Sequence, residues 1–372
     1  MRELARLVSF IFDFCTRNVF QTLYHLILVM NRFLSRLTGG SGKPVRAVVY
    51  DYSAPDNMRF VSDFASYEPT SSEIQVKVIA AGLNPIDFKI PELPPASFVR
   101  KGQPVGVDFC GEVVKTQPGL EFSVGDRVFG MAESGSLAEI ITAPASNAFL
   151  LPTSVDPVSA AAYPSAALTA FQALKYAGVD MTRVSANTTQ PSAFCVLIIG
   201  ASGGVGHFAV QLAKLAGLQV TAVCSSKNAD FVSSVGAQTV LSYDKPGFAI
   251  PSRKFDAVLD LVSHPGGPDY EEAALEAVLP KGHIVATTTV HNSRWIGAVL
   301  NNFIGLPVFK KGYKLMMVKP DRKDFGILVE LIRNGQIKAQ VAKVAEFSDK
   351  GAKQAFDLLR SSRTAGKLVV KM

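Results

Sequence analysis

The chain has 372 residues and a formal net charge of +7; 48% of its residues are hydrophobic and 19% are charged. This length and composition predict a globular body with two domains and exclude a disordered chain. Residues 1–43 hold six basic residues against two acidic ones, so they carry four of the seven charges. The remaining body is only mildly basic, and we expect no nucleic-acid partner.

Residues 1–37 combine apolar residues with scattered arginines. Apolar residues recur at helical spacing from Leu4 to Phe14, and residues 19–30 are almost continuously apolar. That run is shorter than the ~20 residues that span a bilayer. It favours a helix lying at a membrane surface. A cleaved targeting sequence and a docking helix for a protein partner are the alternatives. The glycine-rich residues 38–44 are predicted to be a flexible linker.

The body begins with short strands separated by turns rich in Gly and Pro, which indicates a β-rich domain. From about residue 160 the pattern changes to helices and buried strands. The predicted strands are residues 45–50, 73–80, 111–114, 125–130, 255–260 and 282–287. Residues 182–192 are predicted to be a loop, and the tail is predicted to end in a helix near 351–360 and a strand at 367–370.

Residues 196–214 contain the most informative motif, a buried strand followed by a glycine turn and an amphipathic helix. In that context the glycines predict a dinucleotide-binding site. Gly200 permits the tight turn, and Gly206 lets the helix lie close to the strand. The helix N-terminus directs free N–H groups at an anion. The predicted pyrophosphate-binding residues are Ser202, Gly203, Gly204 and Val205.

The next strand, residues 218–224, bears on which cofactor binds. A chain that selects NAD usually ends this strand with an acidic residue on the ribose 2′-hydroxyl. Here the strand is followed by Ser225, Ser226 and Lys227. Ser225 and Lys227 suit a 2′-phosphate, so we predict NADPH. In the alternative interpretation Lys227 is a solvated lysine. Tyr243 is predicted to stack near the adenosine end or to reach the 2′-phosphate, or else is a strand-end aromatic residue.

Several further motifs occur in a family-specific order. They are Ala81–Lys89, Gly106–Val113, Gly125–Gly130, Ala166–Ala170 and Ala365–Val370. With the glycine motif they resemble the zinc-free quinone oxidoreductase branch of the medium-chain dehydrogenases/reductases, particularly the chloroplast-envelope quinone oxidoreductase-like proteins. The resemblance covers about residues 45–372.

The resemblance implies an α/β architecture: a GroES-like β-rich catalytic domain plus a Rossmann domain with a doubly wound parallel sheet. To these the sequence adds an N-terminal helical extension. The expected division is 1–43 for the extension and linker, 44–165 for the first part of the catalytic domain, 166–317 for the NADP-binding domain and 318–372 for the return to the catalytic domain.

The resemblance also implies site residues. Asn84 would lie at the nicotinamide and donate to the substrate oxygen, with a turn-forming Asn as the alternative. Lys89 would assist charge development on that oxygen, or else is solvated. Thr169 would approach the nicotinamide side of the cofactor. Thr288 lies in a threonine run that ends a predicted parallel strand, the edge at which such folds bind ligands.

No metal is expected. Zinc-dependent relatives carry a cysteine near the position of Asn84 and a Gly-His-Glu near residues 106–108, and this chain has neither. Without a Lewis acid, reduction of a quinone or an α,β-unsaturated carbonyl requires less assistance than alcohol oxidation. The chemistry expected is hydride transfer from NADPH to such a lipophilic acceptor.

The expected partners are the acceptor, and a membrane surface or the subunits of a membrane complex reached through residues 1–37. The edge strand predicted at 313–318 would pair between subunits in a homodimer. The expected location is peripheral, on the mitochondrial inner membrane or the chloroplast envelope. The alternative function is an accessory subunit of such a complex that keeps the reductase fold, because fold does not fix function.

Overall fold

The computed structural model describes residues 42–54, 56–89, 101–185, 192–264, 267–287 and 313–372. The segment 1–37, for which a membrane-surface helix is predicted, lies outside the described residues, and so does Thr288. The described chain contains two large sheets and a separate hairpin.

The six-stranded sheet is wholly parallel, with the order β10-β9-β8-β11-β12-β13. Counted from its first strand, this is the 3-2-1-4-5-6 order of a Rossmann fold. It confirms the predicted doubly wound sheet. The strands are β8 (Cys195–Ile199), β9 (Gln219–Cys224), β10 (Thr239–Ser242), β11 (Phe255–Asp260), β12 (Val278–Ala286) and β13 (Tyr313–Leu315).

Helices cover both faces of this sheet. In β8, Val196 and Ile198 belong to the hydrophobic core formed with helices α3, α5 and α8, whereas Leu197 and Ile199 belong to the core against α7. All four side chains are fully buried, as expected for a central parallel strand whose successive residues point to opposite faces. The helices are α3 (Pro164–Tyr176), α4 (Thr182–Ser185), α5 (Gly206–Leu215), α6 (Ala229–Ser234), α7 (Glu271–Ala277) and α8 (Arg322–Arg333).

The seven-stranded sheet has the order β14-β15-β3-β4-β5-β7, with β6 paired to β3. Its last strand, β15, pairs antiparallel with β3, so that Leu368 lies opposite Leu83. The chain thus returns to its first sheet at its C-terminus. The strands are β3 (Glu73–Leu83), β4 (Asp108–Lys115), β5 (Arg127–Met131), β6 (Ile140–Pro144), β7 (Ala148–Leu150), β14 (Val341–Glu346) and β15 (Lys367–Lys371).

Three helices belong to this half of the described chain. They are α1 (Pro85–Lys89), α2 (Pro157–Ala160) and α9 (Asp349–Arg360). Ser348 caps α9, because its hydroxyl oxygen accepts the N–H of Gly351 at 3.1 Å. The separate hairpin consists of β1 (Pro44–Tyr50) and β2 (Met58–Ala65). The predicted tail helix and final strand are therefore both present.

Two local predictions need correction. The loop predicted at 182–192 begins with the helical turn α4, because the Asp180 carboxylate accepts the N–H and hydroxyl of Thr182 at 3.0 and 2.7 Å. The end of the predicted flexible linker belongs to the folded body: the N–H of Gly42 donates to the carbonyl of Ser66 at 3.0 Å, and Pro44 already begins β1.

Candidate functional site

The glycine turn connects β8 to α5 at the centre of the parallel sheet. Strands β9 and β11 flank β8 on opposite sides, so the turn lies where the strand order reverses. In open α/β sheets this switch point is where ligands bind, beyond the carboxyl ends of the strands. The structure therefore places the predicted dinucleotide motif at the expected edge.

The turn requires glycine at two positions in particular. Gly200 has φ +83°, a conformation that other residues rarely adopt. A Cβ at Gly206 would lie 2.1 Å from the Gly200 carbonyl oxygen, because α5 begins directly against the turn. The turn leads into the N-terminus of α5, the end at which a helix directs N–H groups toward an anion. This geometry suits a pyrophosphate.

Ser202 connects this turn to two other parts of the molecule. Its hydroxyl accepts the side-chain N–H of Asn228 at 3.1 Å, and its carbonyl accepts the N–H of Gly366 at 2.9 Å. Gly203 also bridges to Gly366, the residue before β15. The glycine turn is thus hydrogen-bonded to the start of the last strand of the other sheet.

Four residues at this contact form the junction cluster: Asn84, Asp108, Ser165 and Lys367. All are nearly inaccessible, with Lys367 at 3% and Asp108 at 0% exposure. The Lys367 ammonium donates to the side-chain oxygen of Asn84 at 2.5 Å and to the carbonyl of Leu83 at 2.8 Å, and lies 3.4 Å from the Asp108 carboxylate. Buried charges of this kind are tolerated only when paired.

Asn84 is held at both ends of its amide. Its nitrogen donates to the Asp108 carboxylate at 2.9 Å while its oxygen accepts from Lys367. Only one assignment of the amide satisfies a donor-only ammonium and an acceptor-only carboxylate, so the orientation is fixed. The amide nitrogen carries two hydrogens, and the bond to Asp108 uses one. The other remains for a ligand.

Helix α3 contributes Ser165 to the junction cluster and places Thr169 next to it. The other oxygen of Asp108 accepts both the N–H of Ser165, at 2.9 Å, and its hydroxyl, at 2.5 Å. Thr169 lies one turn later and its hydroxyl donates to the Ser165 carbonyl at 2.6 Å. Thr169 is therefore close to the junction cluster, although its hydroxyl hydrogen is already used within the helix.

Lys89 lies on the short helix that follows Asn84. It is the last residue of α1 and is half-buried. Asn84 precedes the same helix, and its N–H donates to the Asp87 carboxylate at 2.8 Å, which fixes the start of α1. The structure thus brings Asn84 and Thr169 to one junction and places Lys89 one helical turn from Asn84.

The residues at the predicted ribose site are called the ribose cluster and consist of Ser225, Ser226, Lys227, Tyr243 and Asp244. Ser225 is 7% exposed, whereas Lys227, Tyr243 and Asp244 are exposed. The Asp244 carboxylate accepts the N–H and the hydroxyl of Ser226, each at 2.8 Å. No acidic residue directly follows β9 in the sequence. The pairing of β10 with β9 brings Asp244, which follows β10, to the end of β9.

His207 joins the two halves of the molecule from within α5. Its Nδ1 donates to the Gly203 carbonyl at 2.9 Å, and its Nε2 accepts the N–H of Gln340 at 3.2 Å. The imidazole is therefore neutral. Burial lowers its pKa to about 4. The structure shows a fully buried contact between the glycine turn and the segment before β14.

Asp108 and Lys367 were not predicted as site residues. Both stood in motifs that pointed to the family, and each is a charged residue beside an apolar strand run. Such a charge in a buried strand must find a partner, which was the available signal. Asp244 had no comparable signal, because nothing in its local sequence indicates that it reaches Ser226.

Within the described ranges, no group of three or more His, Cys, Asp or Glu side chains could hold a metal ion. In the same part of the chain, no helix is both long enough and apolar enough to cross a bilayer. The cysteines described there, Cys110, Cys195 and Cys224, are free thiols.

Two family models match the chain. Residues 70–153 match the alcohol dehydrogenase GroES-like domain, and residues 235–370 match the zinc-binding dehydrogenase family. The first confirms that the chain contains the GroES-like domain of the predicted fold class. The second spans most of the parallel sheet and the return to β15.

Individual proteins match over most of their length. The chain is 32% identical over 328 residues to the trans-enoyl reductase pgmF of Aspergillus terreus, covering 81% of this chain and 86% of that one. It is 33% identical over 316 residues to a chloroplast envelope quinone oxidoreductase homolog of Arabidopsis thaliana, covering 82% and 91%. An NADPH-dependent alkenal/one oxidoreductase of the same plant is 27% identical over 345 residues, covering 88% and 80%.

Among solved structures, the quinone oxidoreductase from Coxiella burnetii superimposes with a TM-score of 0.74 and 26% identity, covering 89% of this chain and 100% of that one. Fold, motif order and sequence identity agree. The chain is an oxidoreductase that belongs to the medium-chain dehydrogenase/reductase superfamily, in its quinone oxidoreductase branch.

Proposed function

We propose that the protein transfers a hydride from NADPH to a quinone or an α,β-unsaturated carbonyl compound at a membrane surface. The observation that carries this proposal is the buried, oriented amide of Asn84, hydrogen-bonded through Lys367 to the strand that abuts the phosphate-binding turn. It supplies one oriented N–H donor beside a dinucleotide-binding turn, which is what reduction of a conjugated carbonyl requires.

The glycine turn fits the diphosphate of a dinucleotide. A Cβ at Gly204 would lie 3.0 Å from the Lys367 side chain, and one at Gly206 would collide with the Gly200 carbonyl. Ser202, Gly203, Gly204 and Val205 would hold the diphosphate, and Ser225, Lys227 and Tyr243 the phosphorylated ribose. When bound, the nicotinamide supplies the hydride. The names of the relatives, which include quinone, enoyl and NADPH-dependent alkenal reductases, support this assignment.

The protein's own contribution is orientation and charge stabilisation. Lys367 draws electron density toward the amide oxygen of Asn84, and Asp108 accepts from its nitrogen. The bond from Lys367 makes the N–H groups of the amide stronger donors, and the bond to Asp108 fixes the direction of the remaining N–H. That N–H would stabilise negative charge on the acceptor oxygen, and the low exposure of Asn84 excludes competing water.

The test is turnover of NADPH with a panel of quinones and enones. Asn84→Ala should lower kcat by about 100-fold, the size expected on loss of one positioned donor to a developing oxyanion. The matched control is Asn334→Ala, at the exposed C-terminal end of α8, which should leave kcat unchanged. Binding of NADPH without stimulated oxidation by any acceptor would contradict the enzymatic role. Copurification in a stoichiometric membrane complex would then favour the accessory subunit.

Residues 1–37 would keep the protein on an organelle membrane, near lipophilic acceptors. Their apolar run and arginines support this part of the proposal. A variant that lacks residues 1–37 should move to the soluble fraction and keep its turnover of a water-soluble quinone. Flotation of the full chain with anionic vesicles separates lipid binding from protein docking. A truncated variant that still floats would place the anchor elsewhere.

A further inference from the structure

The ends of β9 and β10 lie side by side. The two strands are parallel and neighbouring, with Ser242 opposite Cys224. The N–H of Tyr243 donates to the Cys224 carbonyl at 3.1 Å, which continues the pairing beyond the strands. Residues that follow β10 therefore share one surface with those that follow β9. In a Rossmann fold that surface binds the adenosine ribose.

Asp244 places a carboxylate on this surface. Its two hydrogen bonds from Ser226 hold the pKa of Asp244 below its ordinary value, so the group is charged at neutral pH. The same bonds use the N–H and the hydroxyl hydrogen of Ser226, so neither is left for a phosphate. Asp244 thus both adds negative charge and removes two donors from the ribose cluster.

We infer that Asp244 determines how strongly the protein discriminates between NADPH and NADH, acting against Lys227. The inference rests on the proposed function. A carboxylate after the second strand favours a ribose 2′-hydroxyl and opposes a 2′-phosphate. Here the third strand supplies that carboxylate. Lys227 attracts the phosphate and Asp244 repels it, so the preference for NADPH is moderate and NADH remains a usable donor.

The expected size follows from electrostatics at an exposed site. A 2′-phosphate carries a charge of about −1.5 to −2 at neutral pH. At separations of several ångströms in water, its repulsion by one carboxylate corresponds to a change of about three- to tenfold in binding. Because the site is exposed, added salt should weaken the effect.

The experiment compares two fragments that differ only in the 2′-phosphate, namely 2′,5′-ADP and 5′-AMP. Dissociation constants are measured by calorimetry for the unmodified chain and for Asp244→Asn, which keeps the size of the side chain and one acceptor oxygen. The variant should bind 2′,5′-ADP about three- to tenfold more tightly and 5′-AMP with less than a twofold change. The ratio of kcat/KM for NADPH over NADH should rise equally, and 0.5 M salt should reduce the difference.

The matched control is Asp63→Asn, which makes the same charge change on the exposed face of β2 in the separate hairpin. It should alter neither fragment. Equal changes for both fragments in Asp244→Asn, or weaker binding of 2′,5′-ADP, would overturn the inference. The inference would also be overturned if Ser226→Ala, which keeps the carboxylate of Asp244, produced the same selective gain in 2′,5′-ADP binding. The gain would then come from a change in the turn at Ser226 and not from the charge of Asp244.

The two proposals fail separately. If the unmodified chain binds neither fragment and oxidises neither nucleotide, the proposed function is wrong. If it binds both and Asp244→Asn leaves their ratio unchanged, only the inference about Asp244 is wrong.

Discussion

The junction cluster and the ribose cluster both lie beside the glycine turn, and they differ in how exposed their charged groups are. At the junction, Lys367 and Asp108 are buried, and each has several hydrogen-bond partners. In the ribose cluster, Lys227 and Asp244 are exposed. Buried charges lose hydration and must be matched within the fold, whereas exposed charges are screened and can change with little structural cost. We expect the junction to determine stability and orientation, and the ribose cluster to determine cofactor preference.

The largest effect should follow removal of the buried ammonium. Lys367→Met leaves Asp108 charged and unpaired by any ammonium, and should lower the free energy of unfolding by about 3–5 kcal/mol. Urea denaturation measures this change. The matched control is Lys115→Met, in the half-exposed pair with Glu68, which should cost less than about 1 kcal/mol.

Equal losses of stability in the two lysine variants would mean that burial does not determine how much an ion pair contributes to stability. The double variant Asp108→Asn with Lys367→Met removes both charges and should recover part of the loss, because the remaining groups no longer include an isolated ion.

The second prediction concerns the loss of folding stability at low pH. The pKa of His207 is about 4 in the folded state against 6.5 in the unfolded chain. Between these values the unfolded state binds the extra proton. The stability from neutral His207 is therefore fully present above about pH 6.5 and is lost as the pH falls toward 4, by up to about 3 kcal/mol. Denaturation at several pH values measures this slope.

Replacement of His207 by a side chain that does not titrate should reduce the dependence of stability on pH. His207→Gln should reduce the slope between pH 6.5 and 4, whatever its stability at neutral pH. His283→Gln, at an exposed position on β12, should leave the slope unchanged. A slope that persists in His207→Gln would assign the acid sensitivity to the carboxylates.

The third prediction tests the turn between the clusters. Gly206→Ala forces a Cβ against the Gly200 carbonyl and should cost about 1–3 kcal/mol, with weaker NADPH binding. Gly326→Ala is the matched control in α8, where an added Cβ meets no atom within 4 Å. It should gain about 0.5–1 kcal/mol from helix propensity. Thermal unfolding measures the change in stability of each variant, and the two changes should have opposite signs.

The smallest effect should come from the exposed lysine. Lys227→Ala should weaken NADPH binding by about five- to tenfold and change NADH binding by less than twofold, because only NADPH carries the 2′-phosphate. Fluorescence titration with each nucleotide measures this. Equal losses for both nucleotides would remove Lys227 from the phosphate site.

The fold was largely predictable, because its signals are local. Apolar runs in the sequence predicted β8, β9 and β11, and each lies within one residue of its predicted bounds. The turn at Asp180 was missed, since one carboxylate capping two groups produces no periodic pattern. Among the site residues, Asn84 was indicated by its motif, but the partners that orient it were not.

By itself, the sequence determined the alternation of strands and helices, the glycine turn and the absence of an acidic residue after β9. These features depend on neighbouring residues, whose side-chain periodicity and backbone freedom are fixed locally. Only the tertiary structure placed Lys367 on Asn84, 283 positions away, and Asp244 on Ser226. Which charges meet depends on strand order and register, and these are set by the packing of the whole chain.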